Sequence, residues 1–128
     1  MRSTLALLLG AMTLAGCDPA VGTAGSSEAL GKELAGRTAG ATTDCVSTFG
    51  SDNLRVVGRD TVAYGTGRTI YINRLTSACP ALSTFNTIIV EKNGPQYCRG
   101  DHIRGLEPGA VIPGPVCFLG NWTAYSKP

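Results

Sequence analysis

Three polar residues close together in the chain, Arg99, Asp101 and His102, are the candidates for acid–base or binding chemistry. His102 is the only histidine, so any histidine-based catalysis or metal binding would depend on it. Neighbours on a strand point to opposite faces, so Asp101 and His102 cannot form a dyad directly. The sequence contains no G-x-S-x-G motif that would mark a nucleophile. We therefore expect no catalytic residue, no metal and no cofactor, and we expect Asp101 to accept hydrogen bonds from nearby backbone amides.

Arginines are the second source of candidate chemistry, because the chain has only three lysines. If several of them met on one face, they could bind an anion such as a lipid headgroup or a glycan carboxylate. The plainer interpretation, which we favour, is that they are solvated, outward-facing residues of alternating strands. The arginines in question are Arg55, Arg59, Arg68, Arg74, Arg99 and Arg104.

The N-terminus carries a different kind of chemistry in Cys17. Arg2 is followed by an apolar run over residues 5–14, which is a suitable length for a signal peptide and too short to span a bilayer. The run ends in Leu14-Ala15-Gly16-Cys17, which resembles the lipobox of bacterial lipoproteins. That resemblance implies that the Cys17 thiol is acylated and that Cys17 becomes the first residue of the mature chain. The alternative is an ordinary secretory signal with a chance cysteine.

This resemblance also implies a cellular location. An acylated Cys17 would hold the protein on a lipid bilayer, in the cell envelope and facing the periplasm. Asp18 follows the cysteine directly and resembles the enterobacterial signal for retention on the inner membrane. The pattern therefore favours the inner membrane and leaves the outer membrane open.

The other four cysteines, Cys45, Cys79, Cys98 and Cys117, predict two disulfides, because an even number of cysteines in an exported small domain is typical of a disulfide framework. Three pairings are possible. We favour Cys79–Cys98, because a candidate hairpin lies between these residues, and this choice leaves Cys45–Cys117. A four-cysteine zinc site is the rival interpretation, but it would require closely spaced cysteine pairs.

The chain divides into three parts on this interpretation. Residues 1–16 form the lipoprotein signal peptide, residues 17–43 a lipid-anchored tether, and residues 44–128 a disulfide-linked β domain. Within the tether, residues 18–25 are expected to be flexible. A short helix over residues 26–34 is possible there, with Leu30 and Leu34 on one face and Gly36 as its stop.

Short segments rich in β-branched residues predict the strands of the β domain. Residues 92–95 contain Asn93-Gly94 and predict a turn, after which residues 96–104 would return as the partner of residues 87–91. Residues 107–115 carry repeated proline and glycine and predict a loop. The fold class that follows is mainly β, a small antiparallel barrel or sandwich. The predicted strands lie in residues 54–57, 61–64, 68–73, 87–91, 96–104 and 116–125.

The order and spacing of these segments also resemble a family of small exported proteins of proteobacteria, over about residues 34 to 125. The family implies a disulfide-bonded β fold with four cysteines, and it has no established activity or functional residues to transfer. The matching segments are Asp44-Cys45, residues 54–57, Gly67-Arg68, residues 70–75, Cys79-Pro80-Ala81-Leu82, Tyr97-Cys98-Arg99-Gly100-Asp101 and Cys117-Phe118-Leu119-Gly120.

Charge limits the possible partners. Loss of Arg2 with the signal peptide leaves ten Lys/Arg against nine Asp/Glu, with no basic run, so we expect no binding to nucleic acid. The expected function is a structural or interaction role in the cell envelope, with an envelope protein as partner. One alternative is a periplasmic enzyme inhibitor acting through the loop of residues 107–115, whose prolines would lower the entropic cost of binding. A hydrolase that uses His102 is a further alternative.

Overall fold

The computed structural model describes residues 21–48 and 53–128. Within these ranges the chain forms one α-helix and ten β-strands, and every strand pairing is antiparallel. The protein is mainly β, as the sequence predicts. The elements are α1 (Val21–Leu34), β1 (Thr38–Thr43), β2 (Cys45–Ser47), β3 (Arg55–Val56), β4 (Thr61–Tyr64), β5 (Thr69–Arg74), β6 (Thr87–Glu91), β7 (Gln96–Cys98), β8 (His102–Leu106), β9 (Cys117–Phe118) and β10 (Trp122–Ser126).

The strands form three sheets. The five-stranded sheet has the order β1-β10-β5-β4-β3, the three-stranded sheet β6-β8-β9, and the two-stranded sheet β2-β7. Over the described residues each sheet has two distinct edge strands, so none closes into a barrel. Of the two predicted architectures, it is the sandwich that agrees with the structure.

Both faces of the five-stranded sheet are packed. On one face the main core contains Trp122, which is fully buried, together with Val62 and Tyr64 and with residues of the other two sheets, such as Ile103. On the other face Ile70 forms a second cluster with its neighbours on β4 and β5. Because side chains alternate along a strand, β5 contributes to both clusters.

The helix covers the second cluster. Leu30 and Leu34 are half-buried against it, and the helix ends at Leu34, as the sequence predicts. At the base of the helix, Arg55 Nε and Nη2 donate to the two carboxylate oxygens of Glu33 over 2.7 and 3.0 Å. The helix begins at Val21 rather than at residue 26, so a helix occupies residues 21–25, which we expected to be flexible. From Ala29 onward the segment that the sequence assigned to a tether contacts the β domain, through Ala29, Leu30 and Leu34 of the helix and through the pairing of β1 (Thr38–Thr43) with β10.

The first strand of the fold is an unexpected element. Thr38 pairs with Ser126 and Thr43 pairs with Trp122, which makes β1 an edge strand of the five-stranded sheet. All six residues of β1 are exposed and the register shifts between Ala39 and Thr42. The only apolar side chains of β1 are the small, exposed Ala39 and Ala41, so the segment carries no strong pattern that predicts a strand.

The strands predicted at residues 61–64, 68–73 and 87–91 are confirmed as β4, β5 and β6. The predicted partner of β6 is only partly right. β8 pairs with β6, but β7 pairs with β2 instead. Residues 96–104 thus divide between two sheets, and the break falls at the turn before Asp101.

The predicted disulfide pairing is wrong. The structure contains Cys45–Cys98 and Cys79–Cys117, not Cys79–Cys98 and Cys45–Cys117. The reason is the register of β2 on β7, which places Cys45 directly opposite Cys98. Since β7 does not pair with β6, the hairpin that motivated Cys79–Cys98 does not exist. Cys79 instead holds the start of β9 at Cys117.

Candidate functional site

The three polar residues singled out in the sequence do not form one site. Asp101 is 7% exposed, and its carboxylate accepts a hydrogen bond from Cys98 N at 2.8 Å. Its backbone N–H donates to Cys98 O at 3.1 Å, and its carbonyl accepts from Leu119 N at 3.0 Å. The expected bond to the local backbone is therefore present, and Asp101 stabilises the turn between β7 and β8.

His102 lies on the exposed side of β8 and has a partner that the sequence did not suggest. Its Nδ1 is 3.3 Å from Glu91 Oε2, and its ring meets the Phe118 ring edge-on with centroids 5.0 Å apart. On the other carboxylate oxygen, Arg104 Nε lies 3.4 Å from Glu91 Oε1, which is an ion-pair distance without a hydrogen bond. The register of β6 on β8 explains the cluster, because Glu91 pairs directly with His102.

This cluster has the composition of an acid–base pair, and among the described residues no nucleophile is hydrogen-bonded to it. His102 and Glu91 are each about half exposed. Among the described residues, Glu91 is the only hydrogen-bond partner of the His102 side chain. No set of three or more His, Cys, Asp or Glu in the described part of the chain could hold a metal ion. Within the described ranges, Glu91 thus links His102 and Arg104 of β8 across the surface of the three-stranded sheet.

A second candidate is a set of three exposed apolar residues in the segments that leave the opposite end of the three-stranded sheet. Phe85 is 82% exposed, Val111 is 92% exposed and Ile112 is 80% exposed. Thr87 pairs with Leu106, so the segment before β6 and the loop after β8 leave the sheet at the same end. We call Phe85, Val111 and Ile112 the apolar tip.

The loop that carries most of the apolar tip is held by its own backbone. Ala110 N donates to Glu107 O at 3.0 Å, and Gly114 N donates to Gly105 O at 2.8 Å. Just beyond the loop, the Cys79–Cys117 disulfide fixes its end to the core. A cavity of about 210 Å³ lies beneath the loop, with Ile112 in its wall. The predicted loop of residues 107–115 is thus confirmed, and it presents apolar side chains from a braced backbone.

Arg99 lies apart from both surfaces. It is exposed at the turn between β7 and β8, and it lines a separate cavity together with Arg74. Of the arginines considered in the sequence, these two are brought together. The lipidation candidate, Cys17, lies outside the described residues. Over the described ranges, α1 lacks the length and apolar character that a helix needs to cross a bilayer.

Comparison with other proteins adds no relative. No protein-family model, curated protein or solved structure matches this chain.

Proposed function

We propose that this chain is a lipid-anchored protein of the bacterial cell envelope, held to the bilayer by acylated Cys17. Its disulfide-linked β domain would face the periplasm and have a non-enzymatic interaction role. The observation that carries the interaction role is the apolar tip, where three large apolar side chains are 80% exposed or more. Large apolar residues grouped on a surface are typical of contact sites with another protein.

Two features support export. The leader before Cys17 has the charge, length and lipobox of a bacterial lipoprotein signal. The two disulfides, Cys45–Cys98 and Cys79–Cys117, are of the kind that persists in an oxidising compartment such as the periplasm. Two or three acyl chains would make the attachment stable, since each buried methylene contributes about 0.8 kcal/mol.

Mass spectrometry of the protein from its native host tests the anchor. We expect a mature chain that begins at acylated Cys17, and we expect Cys17→Ser to release the protein from the membrane fraction. An unprocessed chain beginning at Met1, with all five cysteines reduced, would contradict the proposal.

In-cell cross-linking of the full chain tests the interaction role. We expect a partner to be cross-linked by the wild-type protein and lost in the double variant Val111→Ser/Ile112→Ser, because the substitutions remove apolar contact area without touching the core. Phe118→Ser is the matched control, since Phe118 is also exposed but lies at the other end of the three-stranded sheet. Loss of the partner in Phe118→Ser alone would refute a role for the apolar tip.

The bracing of the loop also supports the second candidate, a periplasmic enzyme inhibitor that inserts the loop of residues 107–115 into an active site. A loop fixed by the Gly114–Gly105 hydrogen bond and by the disulfide at Cys117 loses little entropy when it binds. The partner found by cross-linking distinguishes the two proposals. A stoichiometric enzyme whose activity falls on addition of the protein identifies an inhibitor, whereas a structural envelope protein identifies a scaffold.

A further inference from the structure

A cavity of about 350 Å³ opens on the face of the five-stranded sheet that also carries the helix. We call it the basic cleft, because two arginines, Arg74 and Arg99, line it. The remaining polar groups of the wall are hydroxyls, a phenol and an amide. The lining residues that matter here are Arg74, Thr76, Arg99, Asn121, Thr123 and Tyr125.

Strand register explains why Arg74, Thr123 and Tyr125 share one face of the five-stranded sheet. Thr123 pairs with Ile72 and Tyr125 pairs with Ile70, and side chains of paired residues lie on the same side of a sheet. Arg74 follows Ile72 by two positions on β5 and therefore extends the same row. Ile72 and Tyr125 also belong to the cluster that α1 covers, so the basic cleft begins at the margin of the helix.

The backbone around the basic cleft is held in place by two hydrogen bonds, a close glycine contact and a disulfide. Arg99 N donates to Asp44 O at 2.7 Å, and Thr76 N donates to Phe118 O at 3.2 Å. Gly120 packs so closely that a Cβ there would overlap the Arg74 carbonyl oxygen. The Cys45–Cys98 disulfide lies next to Arg99 in the chain. A fixed backbone reduces the cost of ordering the two arginines around a ligand.

Arg74 and Arg99 differ from most other arginines, because their side chains have no partner among the described residues. Arg55 and Arg104 face carboxylates, and Arg37 and Arg68 donate to backbone carbonyls. Within the described part of the chain, neither the Arg74 nor the Arg99 guanidinium has a hydrogen bond or an ion pair. The carboxylate of Asp44 accepts a hydrogen bond from the lining residue Asn121, whose Nδ2 lies at 2.7 Å.

We propose that the basic cleft binds a saccharide that carries a carboxylate or a phosphate. Two guanidinium groups in one cavity suit an anionic group, because each offers paired N–H donors to its oxygens. Thr76, Asn121 and Thr123 supply neutral donors and acceptors for sugar hydroxyls. The ring of Tyr125 supplies an apolar surface, and the cavity volume lies within the range of small-ligand pockets.

Isothermal titration calorimetry on the full chain, in a polyoxyethylene detergent that contains no sugar, tests this proposal. The probes are glucuronate, glucose 1-phosphate, glucose and inorganic phosphate, at low ionic strength because exposed charges are screened by salt. We expect one of the two acidic sugars to bind with a dissociation constant of about 1 mM or lower. We expect glucose and inorganic phosphate to bind at least about tenfold more weakly. Which acidic sugar binds tells a carboxylate ligand from a phosphate ligand.

Variants assign the binding to the basic cleft. Arg74→Gln and Arg99→Gln should each weaken binding about tenfold, the loss expected for a charge-assisted hydrogen bond. Arg59→Gln is the matched control, since Arg59 is exposed but lines a different cavity. Failure of both acidic sugars to bind at about 10 mM would overturn the proposal. So would binding of glucose or inorganic phosphate at equal strength, or an affinity of both Arg74→Gln and Arg99→Gln equal to that of Arg59→Gln.

Discussion

Asn73 and Gly120 exchange two hydrogen bonds through the core of the protein. Asn73 Nδ2 donates to Gly120 O, and Gly120 N donates to Asn73 Oδ1, each over 2.8 Å. The Asn73 side chain is fully buried. The two bonds resemble the backbone pairing of neighbouring strands, although the Asn73 side chain makes them. They fix the turn between β9 and β10 to β5. The main core and the basic cleft both depend on the position of this turn.

Asn73→Ala should therefore destabilise the protein strongly. The substitution leaves the N–H and C=O of Gly120 buried without a partner, which costs about 2–4 kcal/mol in the free energy of unfolding. Urea denaturation measures the loss. Asn93→Ala in the exposed turn after β6 is the control and should change the free energy of unfolding by less than about 0.5 kcal/mol. Equal losses in the two variants would show that the paired hydrogen bonds contribute nothing of their own.

The disulfide pairing can be read from tryptic peptides, because each of the four cysteines lies on a different one. Digestion without reduction should link residues 38–55 to residues 93–99, and residues 75–92 to residues 105–128. A link between residues 75–92 and 93–99 would contradict the structure. Loop closure of 53 and 38 residues contributes about 4 kcal/mol for each disulfide in the chain-entropy model. Replacing both cysteines of either pair by alanine should lower the stability by similar amounts.

Local sequence patterns predicted the strands whose own residues favour a strand. β5 alternates Ile70 and Ile72 with polar neighbours, and β6 is a run of β-branched residues, so both were found. β1 was missed, because a strand of threonine, alanine and glycine is held only by its pairing with β10. The prediction of the disulfide pairing was wrong for the same reason, a dependence on contacts between distant parts of the chain. The pairing depends on the contact between β2 and β7, two three-residue strands that are far apart in the chain.

In the candidate sites too, contacts between residues close in the chain were predicted, and contacts that depend on strand pairing were not. The Asp101 carboxylate bonds to Cys98 N three residues away, which the turn sequence predicted. Glu91 was missed as the partner of His102, because only the register of β6 on β8 brings the two together. Arg74 and Arg99 were recognised as candidates for anion binding, but the sequence could not select these two from six. Their meeting depends on the turn that Asn73 fixes.

The ion pair between Glu33 and Arg55 should give the stability a pH dependence. The hydrogen bonds and charge of Arg55 hold the pKa of Glu33 below its usual value in the folded protein. A lowered folded-state pKa means that the contribution is fully present above the unfolded pKa, about 4.3, and is lost as the pH falls through the folded value. The contribution should be about 0.5–1 kcal/mol, because both side chains are partly exposed to screening solvent.

Urea denaturation between pH 3 and pH 7 checks this pH dependence. Glu33→Gln should lose stability at pH 7 and differ little from the wild type at pH 3. Glu28→Gln is the matched control, because Glu28 also pairs with a cation, Lys32, but on the exposed side of the helix. If Glu28→Gln reduces the pH dependence of the free energy of unfolding as much as Glu33→Gln does, the Glu33–Arg55 ion pair is not the source of that dependence.

Replacing Gly31 or Gly105 by alanine should change the free energy of unfolding in opposite directions, because one glycine has open space around it and the other does not. Gly31 is exposed in α1, and a Cβ there would meet nothing within 4 Å. Gly31→Ala should therefore stabilise the protein by about 0.5–1 kcal/mol, since alanine loses less backbone entropy in a helix. Gly105 lies on β8 beneath the loop of the apolar tip, where a Cβ would overlap the carbonyl oxygen of Ala81. Since that obstacle is backbone, Gly105→Ala must displace the segment around Ala81. It should lower the free energy of unfolding by about 1–3 kcal/mol. Thermal and urea denaturation of both variants measure the difference, and stabilisation by Gly105→Ala would show that β8 does not pack against the Ala81 carbonyl as described.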